Sequence, residues 1–202
     1  EPVEQAIGQQ RRNQEDDYIP RLFVYAQIVL ALATNDAAFG TIGTKKEFWA
    51  RWREPKNIDE EISRYVNQPL APTDRARMFS SPFETAKAYF DELEAAGDRA
   101  VTEQDRTLYA LCRPERLLEL SRQFILYDQG EKKIARYQQY FAVKNTMVRV
   151  LQTDEEGNRQ GGVIWHTQGS GKSLTMVMLA KAIALERSIT DPKIILVTDR
   201  VD

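Results

Sequence analysis

The sequence predicts an α/β protein, on three features of its patterning. An apolar, β-branched stretch near the start has hairpin spacing, the centre is a run of helical patterns, and the last third reads strand, glycine-rich loop, helix, strand. These divide the chain into segments 1–53, 54–128 and 129–202. With 202 residues, 42% hydrophobic and 29% charged, the composition is that of one or two ordinary soluble domains, not of a disordered or fibrous chain. Twenty-eight basic residues against thirty acidic ones give a net charge of −2, so no bulk positive field announces nucleic acid, although a local basic groove is compatible with it. Cys112 is the only cysteine and His166 the only histidine, which rules out an intrachain disulfide framework, a multi-cysteine zinc site and a histidine-rich metal centre. No apolar run is long enough to span a bilayer and no secretory leader is visible, so a cytoplasmic protein without a membrane partner is expected.

Residues 4–14 are polar and read as a helix that Pro20 closes. The run 22–32, rich in β-branched and aromatic residues, is expected as a strand, Asn35 and Asp36 as a turn, and 38–42 as the returning strand. A helix is the competing assignment for that run, because a continuous apolar stretch hides its period. The second segment opens with a proline-punctuated polar stretch and continues as helices over 84–96 and over 103–127, the latter broken at Pro114. Leu117, Leu118, Ser121, Phe124 and Ile125 fall at helical spacing as one apolar stripe, and Cys112 is expected to be a small buried side chain. This segment is a helical connector with no visible chemistry.

The third segment carries the chemistry. A helix over 132–150 leads through the polar turn 154–158 to an apolar strand at 162–165, and a near-continuous apolar strand follows at 194–197. Between them lie His166-Thr167-Gln168-Gly169-Ser170-Gly171-Lys172-Ser173 and a helix over 174–185, apolar on two faces and therefore expected to be buried on both. Gly169 and Gly171 can take backbone conformations closed to residues with a Cβ, which lets main-chain N–H groups converge on an anion. The helix that starts there adds unpaired N–H groups and the positive end of its dipole. Lys172 supplies a mobile charge for phosphate oxygens and Ser173 a hydroxyl for Mg²⁺. The loop departs from the general P-loop pattern in having His166 where a glycine is usual, which argues against a generic kinase or GTPase.

The string Trp165 to Ser173 resembles motif I of the superfamily 2 motor in the R (endonuclease and translocase) subunit of type I restriction enzymes. Arg136-Tyr137-Gln138-Gln139 is similar to that family's Arg-x-x-Gln adenine-reading motif. The resemblance makes Gln139 the base reader, with Arg136 beside it and Thr167 to Ser173 on the phosphates. It also sets Thr198 and Arg200 where the family contacts the DNA backbone. Residues 9–14 and 19–23 resemble the helix and strand closing the restriction-nuclease domain; Gln9 and Asn13 stand at the spacing of its Gln-x-x-x-Tyr motif, with asparagine in place of tyrosine.

The resemblance thus implies the end of a restriction-nuclease-like α/β domain, a helical connector, and the first βαβ of a RecA-like motor lobe. It implies ATP and Mg²⁺ as cofactors, and double-stranded DNA and the modification and specificity subunits as partners. Neither the nuclease carboxylates nor the acidic pair of an ATPase is present, so no catalytic set is complete here. The chain is expected to be an internal piece of a longer enzyme. Another superfamily 2 translocase, or a non-catalytic ATP-binding docking module, is the alternative.

Overall fold

The opening polar stretch is helical because its few apolar residues are spaced for one face. In the computed structural model, which describes residues 2–197, helix α1 spans Pro2–Arg12 and buries Val3 and Ile7 against Ala31 and Ala38. Glu4 in its first turn and Arg11 and Arg12 in its last complement the helix dipole. The run 22–32, expected as one strand, is divided. Pro20 starts a single helical turn, α2 (Pro20–Phe23), and strand β1 begins only at Val29 (Val29–Ala33). Proline's fixed φ is suited to the first helical position, which accounts for the early part of the run. The hairpin itself forms, shifted toward the N-terminus: β1 pairs antiparallel with β2 (Asp36–Gly40), from Val29↔Gly40 to Ala33↔Asp36, so the turn is Thr34–Asn35 rather than Asn35–Asp36 and the returning strand starts at Asp36 rather than at 38. Arg51 grips Asp36 through two bonds of 2.7 Å, and Phe39 bridges to Ala50.

A short 3-10 helix (Lys46–Phe48) precedes helices α3 (Asp59–Val66), α4 (Pro72–Met78), α5 (Ala86–Ala95), α6 (Glu103–Cys112) and α7 (Pro114–Gln123). Thr102 and Asp105 form a capping box on α6, and the Arg99 guanidinium bonded to Asp105 holds that carboxyl well below the usual range. Pro114 separates α6 from α7 as expected. The helical reading of 103–127 nevertheless ends at Gln123: Ile125–Asp128 is strand β3, paired antiparallel with β4 (Glu131–Ile134). Gln129 and Gly130 both have positive φ (50° and 84°), the backbone of a two-residue hairpin turn. Of the expected stripe, Phe124 is fully buried but Leu118 is 71% exposed, and Cys112 is exposed rather than buried. Because β4 takes residues 131–134, the helix expected over 132–150 starts later, as α8 (Tyr137–Leu151).

The hairpin β3–β4 crosses the expected division at 128/129, and one core draws on all three segments. Phe39 and Trp52 from the first, Leu111, Leu120 and Phe124 from the second, and Tyr140, Val143 and Met178 from the third pack together. Arg116 fastens this seam. It is 10% exposed, lies against Trp52, Tyr140 and Phe141, and pairs with Glu54 at 2.8 Å, which also accepts the Trp52 indole N–H. Tyr140 donates to Glu119, and burial pushes its phenol up from the ordinary value. Among the described residues no helix is long and apolar enough to cross a membrane.

Candidate nucleotide-binding site

Helix α9 (Lys172–Leu185) is held by one face. Met178 and Ala182 are buried in the shared core and Leu174 and Leu179 pack against it, whereas Met176, Val177 and Leu185 stay open. The expectation of burial on two sides is therefore half met. The flanking strands do not form. Residues 162–165 and 194–197 have no strand partner, and Val163, Trp165, Ile195 and Val197 are 85–92% exposed. A parallel strand needs neighbours along its edges, and the sheets among the described residues are two separate antiparallel hairpins that neither segment extends. The expected βαβ unit is thus present as its loop and helix without its sheet.

The loop has the geometry its glycines permit. Gly169 (φ 75°) and Gly171 (φ 82°) are both left-handed, and Gly171 is the residue from which α9 starts. The N–H groups at the start of α9 have no carbonyl one turn back within the helix and open toward the loop. Internal bonds brace the rest: the Ser170 hydroxyl donates to Thr167 O at 2.7 Å and lies 3.2 Å from His166 Nδ1. Thr175 returns both its N–H (3.1 Å) and its hydroxyl (3.2 Å) to Gly171 O. Thr167, Gln168, Lys172 and Ser173 are exposed, so both polar heads at the helix start are free to meet a ligand.

Gln139, like Thr175, is a buried polar group of the site, 3% exposed. Its Oε1 accepts the Arg136 N–H at 2.9 Å, closing the first turn of α8. Its Nε2 donates to Gly171 O at 3.1 Å and reaches Ser170 O at 3.5 Å. The amide therefore ties α8 to the loop, and a Cβ added at Gly171 would lie 2.5 Å from Nε2. Arg136 is exposed immediately before α8. The structure thus brings Gln139 to the glycine-rich loop although some thirty residues separate them, and Arg136 lines the same cavity as the loop.

The other predicted residues lie apart from this grouping. Gln9 is exposed on α1 and Asn13 follows the helix; the bonds to the hairpin region come from their neighbours. Gln10 Nε2 donates to Leu30 O at 3.4 Å, and Gln14 Oε1 accepts the Gly43 N–H at 2.8 Å. Gln10 lies in the last turn of α1 and Gln14 just beyond it, where its Nε2 donates back to Gln10 O at 2.9 Å. Thr198 and Arg200 lie outside the described residues. Among the described residues no group of three or more His, Cys, Asp or Glu could hold a metal ion.

Residues 138–202, which hold this loop and helix, match the SWI2/SNF2 ATPase family. The chain is a homologue of type I restriction enzyme endonuclease subunits. It is 32% identical over 192 residues to the HindI endonuclease subunit of Haemophilus influenzae, covering 92% of this chain and 15% of that protein. It is 28% identical over 195 residues to the putative MjaIXP endonuclease subunit of Methanocaldococcus jannaschii, covering 91% of this chain and 16% of that protein. The putative MjaVIIP endonuclease subunit of the same archaeon is 39% identical over 103 residues, covering 47% of this chain and 10% of that protein. The chain spans 15–16% of the length of the first two relatives. No solved structure matches the chain significantly.

Proposed function

We propose that the protein carrying this chain is the ATP-dependent, DNA-translocating and DNA-cleaving subunit of a type I restriction–modification system, and that this chain supplies its ATP phosphate-binding loop. The observation that carries the reading is the pair of left-handed glycines, Gly169 and Gly171, at the start of a 14-residue helix whose first residues are Lys172 and Ser173. Lys172 neutralises phosphate oxygens, and the Ser173 hydroxyl ligates Mg²⁺. The donor set fits: a cation, a hydroxyl and converging amides suit a phosphate with its metal and little else. ATP with Mg²⁺ supplies the phosphoanhydride whose hydrolysis drives translocation.

Gln139 and Arg136 serve the base side. Gln139 already spends one oxygen lone pair on Arg136 and its stronger N–H on Gly171. The other lone pair and the N–H in the long 3.5 Å contact are what adenine's N6 donor and N7 acceptor would use. Thr198 and Arg200 are proposed DNA-backbone contacts, and Gln9 and Asn13 proposed supports of the nuclease site. Double-stranded DNA and the modification and specificity subunits are the proposed partners, in the cytoplasm. Segments 1–53, 54–128 and 129–202 are proposed as the end of the nuclease domain, a helical connector, and the start of the first motor lobe.

The test is binding of ATP and GTP to the intact protein and two variants. Lys172→Ala is expected to weaken both nucleotides alike, and Gln139→Ala to weaken ATP roughly 5- to 150-fold and narrow its advantage over GTP. ATP binding indifferent to Lys172 would remove the loop from the nucleotide site.

A further inference from the structure

A cavity of about 560 Å³ opens beside the loop, and its lining is shared. One wall is Gly169, Gly171 and Leu174; the other includes Gly43, Thr44 and Phe48 of the first segment, more than a hundred residues earlier in the chain. The volume falls within the range of small-molecule sites. The distant wall is fixed in place by bonds unrelated to the loop. Thr41 Oγ1 donates to Lys132 O at 2.6 Å, Lys132 Nζ donates to Ala26 O and Gln27 Oε1 at 2.9 Å each, and Gln14 holds the Gly43 N–H. Phe48 stands on this wall with 56% of its surface open, an aromatic ring at a cavity whose far side is the glycine-rich loop.

We infer that the first segment forms part of the nucleotide site, with Phe48 the stacking surface for the purine base of a nucleoside triphosphate whose phosphates lie on the 169–173 loop. This rests on the loop reading above. A base has an apolar π-face that any aromatic ring can cover, and a triphosphate tail has the charge that the loop answers, so one elongated ligand spans both walls. Binding then joins the first segment to α9 through the ligand as well as through the protein core.

The experiment uses the full-length protein and calorimetric titration with two probes, ATP and inorganic tripolyphosphate, which lacks the base. Phe48→Ala is expected to weaken ATP roughly 5- to 100-fold and to leave tripolyphosphate unchanged, while Phe48→Tyr, which keeps the ring, binds ATP like the parent. Lys172→Ala is expected to weaken both probes. If Phe48→Ala leaves ATP unchanged while Lys172→Ala weakens both probes, the inference fails and the loop reading stands. If Lys172→Ala changes neither probe, both fail. Equal loss of ATP and tripolyphosphate in Phe48→Ala overturns the inference, since a base contact cannot affect a ligand without a base. Photolabelling the parent with 8-azido-ATP adds a readout that needs no variant. Adducts within 42–48 that ATP competes away support the inference, and adducts confined to other peptides overturn it.

Discussion

Gly171→Ala probes the joint between the loop and α8 most directly. Alanine at φ 82° carries a left-handed cost of about 1–2 kcal/mol. Its Cβ would also sit 2.5 Å from Gln139 Nε2, a contact that forces the amide to move. The end of a glutamine side chain is flexible, but this one is buried and bonded to Arg136 N–H and Gly171 O. Moving it forfeits roughly 1 kcal/mol per bond, about 2 kcal/mol in all. The single substitution is therefore expected to cost about 3–4 kcal/mol. Gln139→Ala alone loses the same two bonds, at about 2 kcal/mol, and opens the space. On that background Gly171→Ala is left with the backbone cost, so the double variant is expected to fall about 2 kcal/mol short of additivity. Urea unfolding followed by tryptophan emission, with Trp52 buried in the core, measures all four proteins. Additivity within about 0.5 kcal/mol would refute the contact between Gln139 and the loop.

Arg116→Ala is expected to destabilise the fold by about 3–5 kcal/mol, because it leaves the Glu54 carboxylate, itself 12% exposed, without its cation. Pairing Arg116→Met with Glu54→Gln recovers much of that loss in the same urea assay. Met178→Ala, at a fully buried position under α9, is expected to cost about 3 kcal/mol and to show as a lower urea midpoint with unchanged slope. The depressed Asp105 carboxyl stabilises the fold at pH values above its unfolded pKa, and that stabilisation is lost as acid titrates it through the folded value. Asp105→Asn is accordingly expected to lower the urea midpoint at pH 7, with the gap to the parent closing below about pH 4.

The parts of this fold that could be read from the sequence are those set by local chemistry. The first hairpin, with its turn placed one residue late, the break at Pro114 and the conformations of Gly169 and Gly171 follow from what turn residues, proline, glycine and β-branched stretches can do within a few positions. The β3–β4 hairpin escaped because Phe124 and Ile125 continue a helical period, while the feature that ends it, the positive-φ pair Gln129–Gly130, is easily passed over as loop. Leu118 was misplaced because periodicity identifies a stripe but not which turn of it meets a neighbour, and Cys112 because cysteine's general preference for burial does not say whether a neighbour covers it. Likewise the bonds of Gln139 to the loop are tertiary. The residue is visible in the sequence, but its partner at Gly171 depends on how α8 lies beside α9.

The open stretches at 162–165 and 194–197 have a colloidal consequence for the chain handled by itself. Each presents apolar, β-prone side chains, and neither backbone is engaged in a sheet. A row of open N–H and C=O groups beside apolar side chains receives a strand from any molecule that offers one. Solubility is then governed by concentration: at high protein concentration these stretches favour intermolecular pairing and growth into larger particles. A strand supplied within the same molecule would win that contest through its high effective concentration and leave the loop between them untouched.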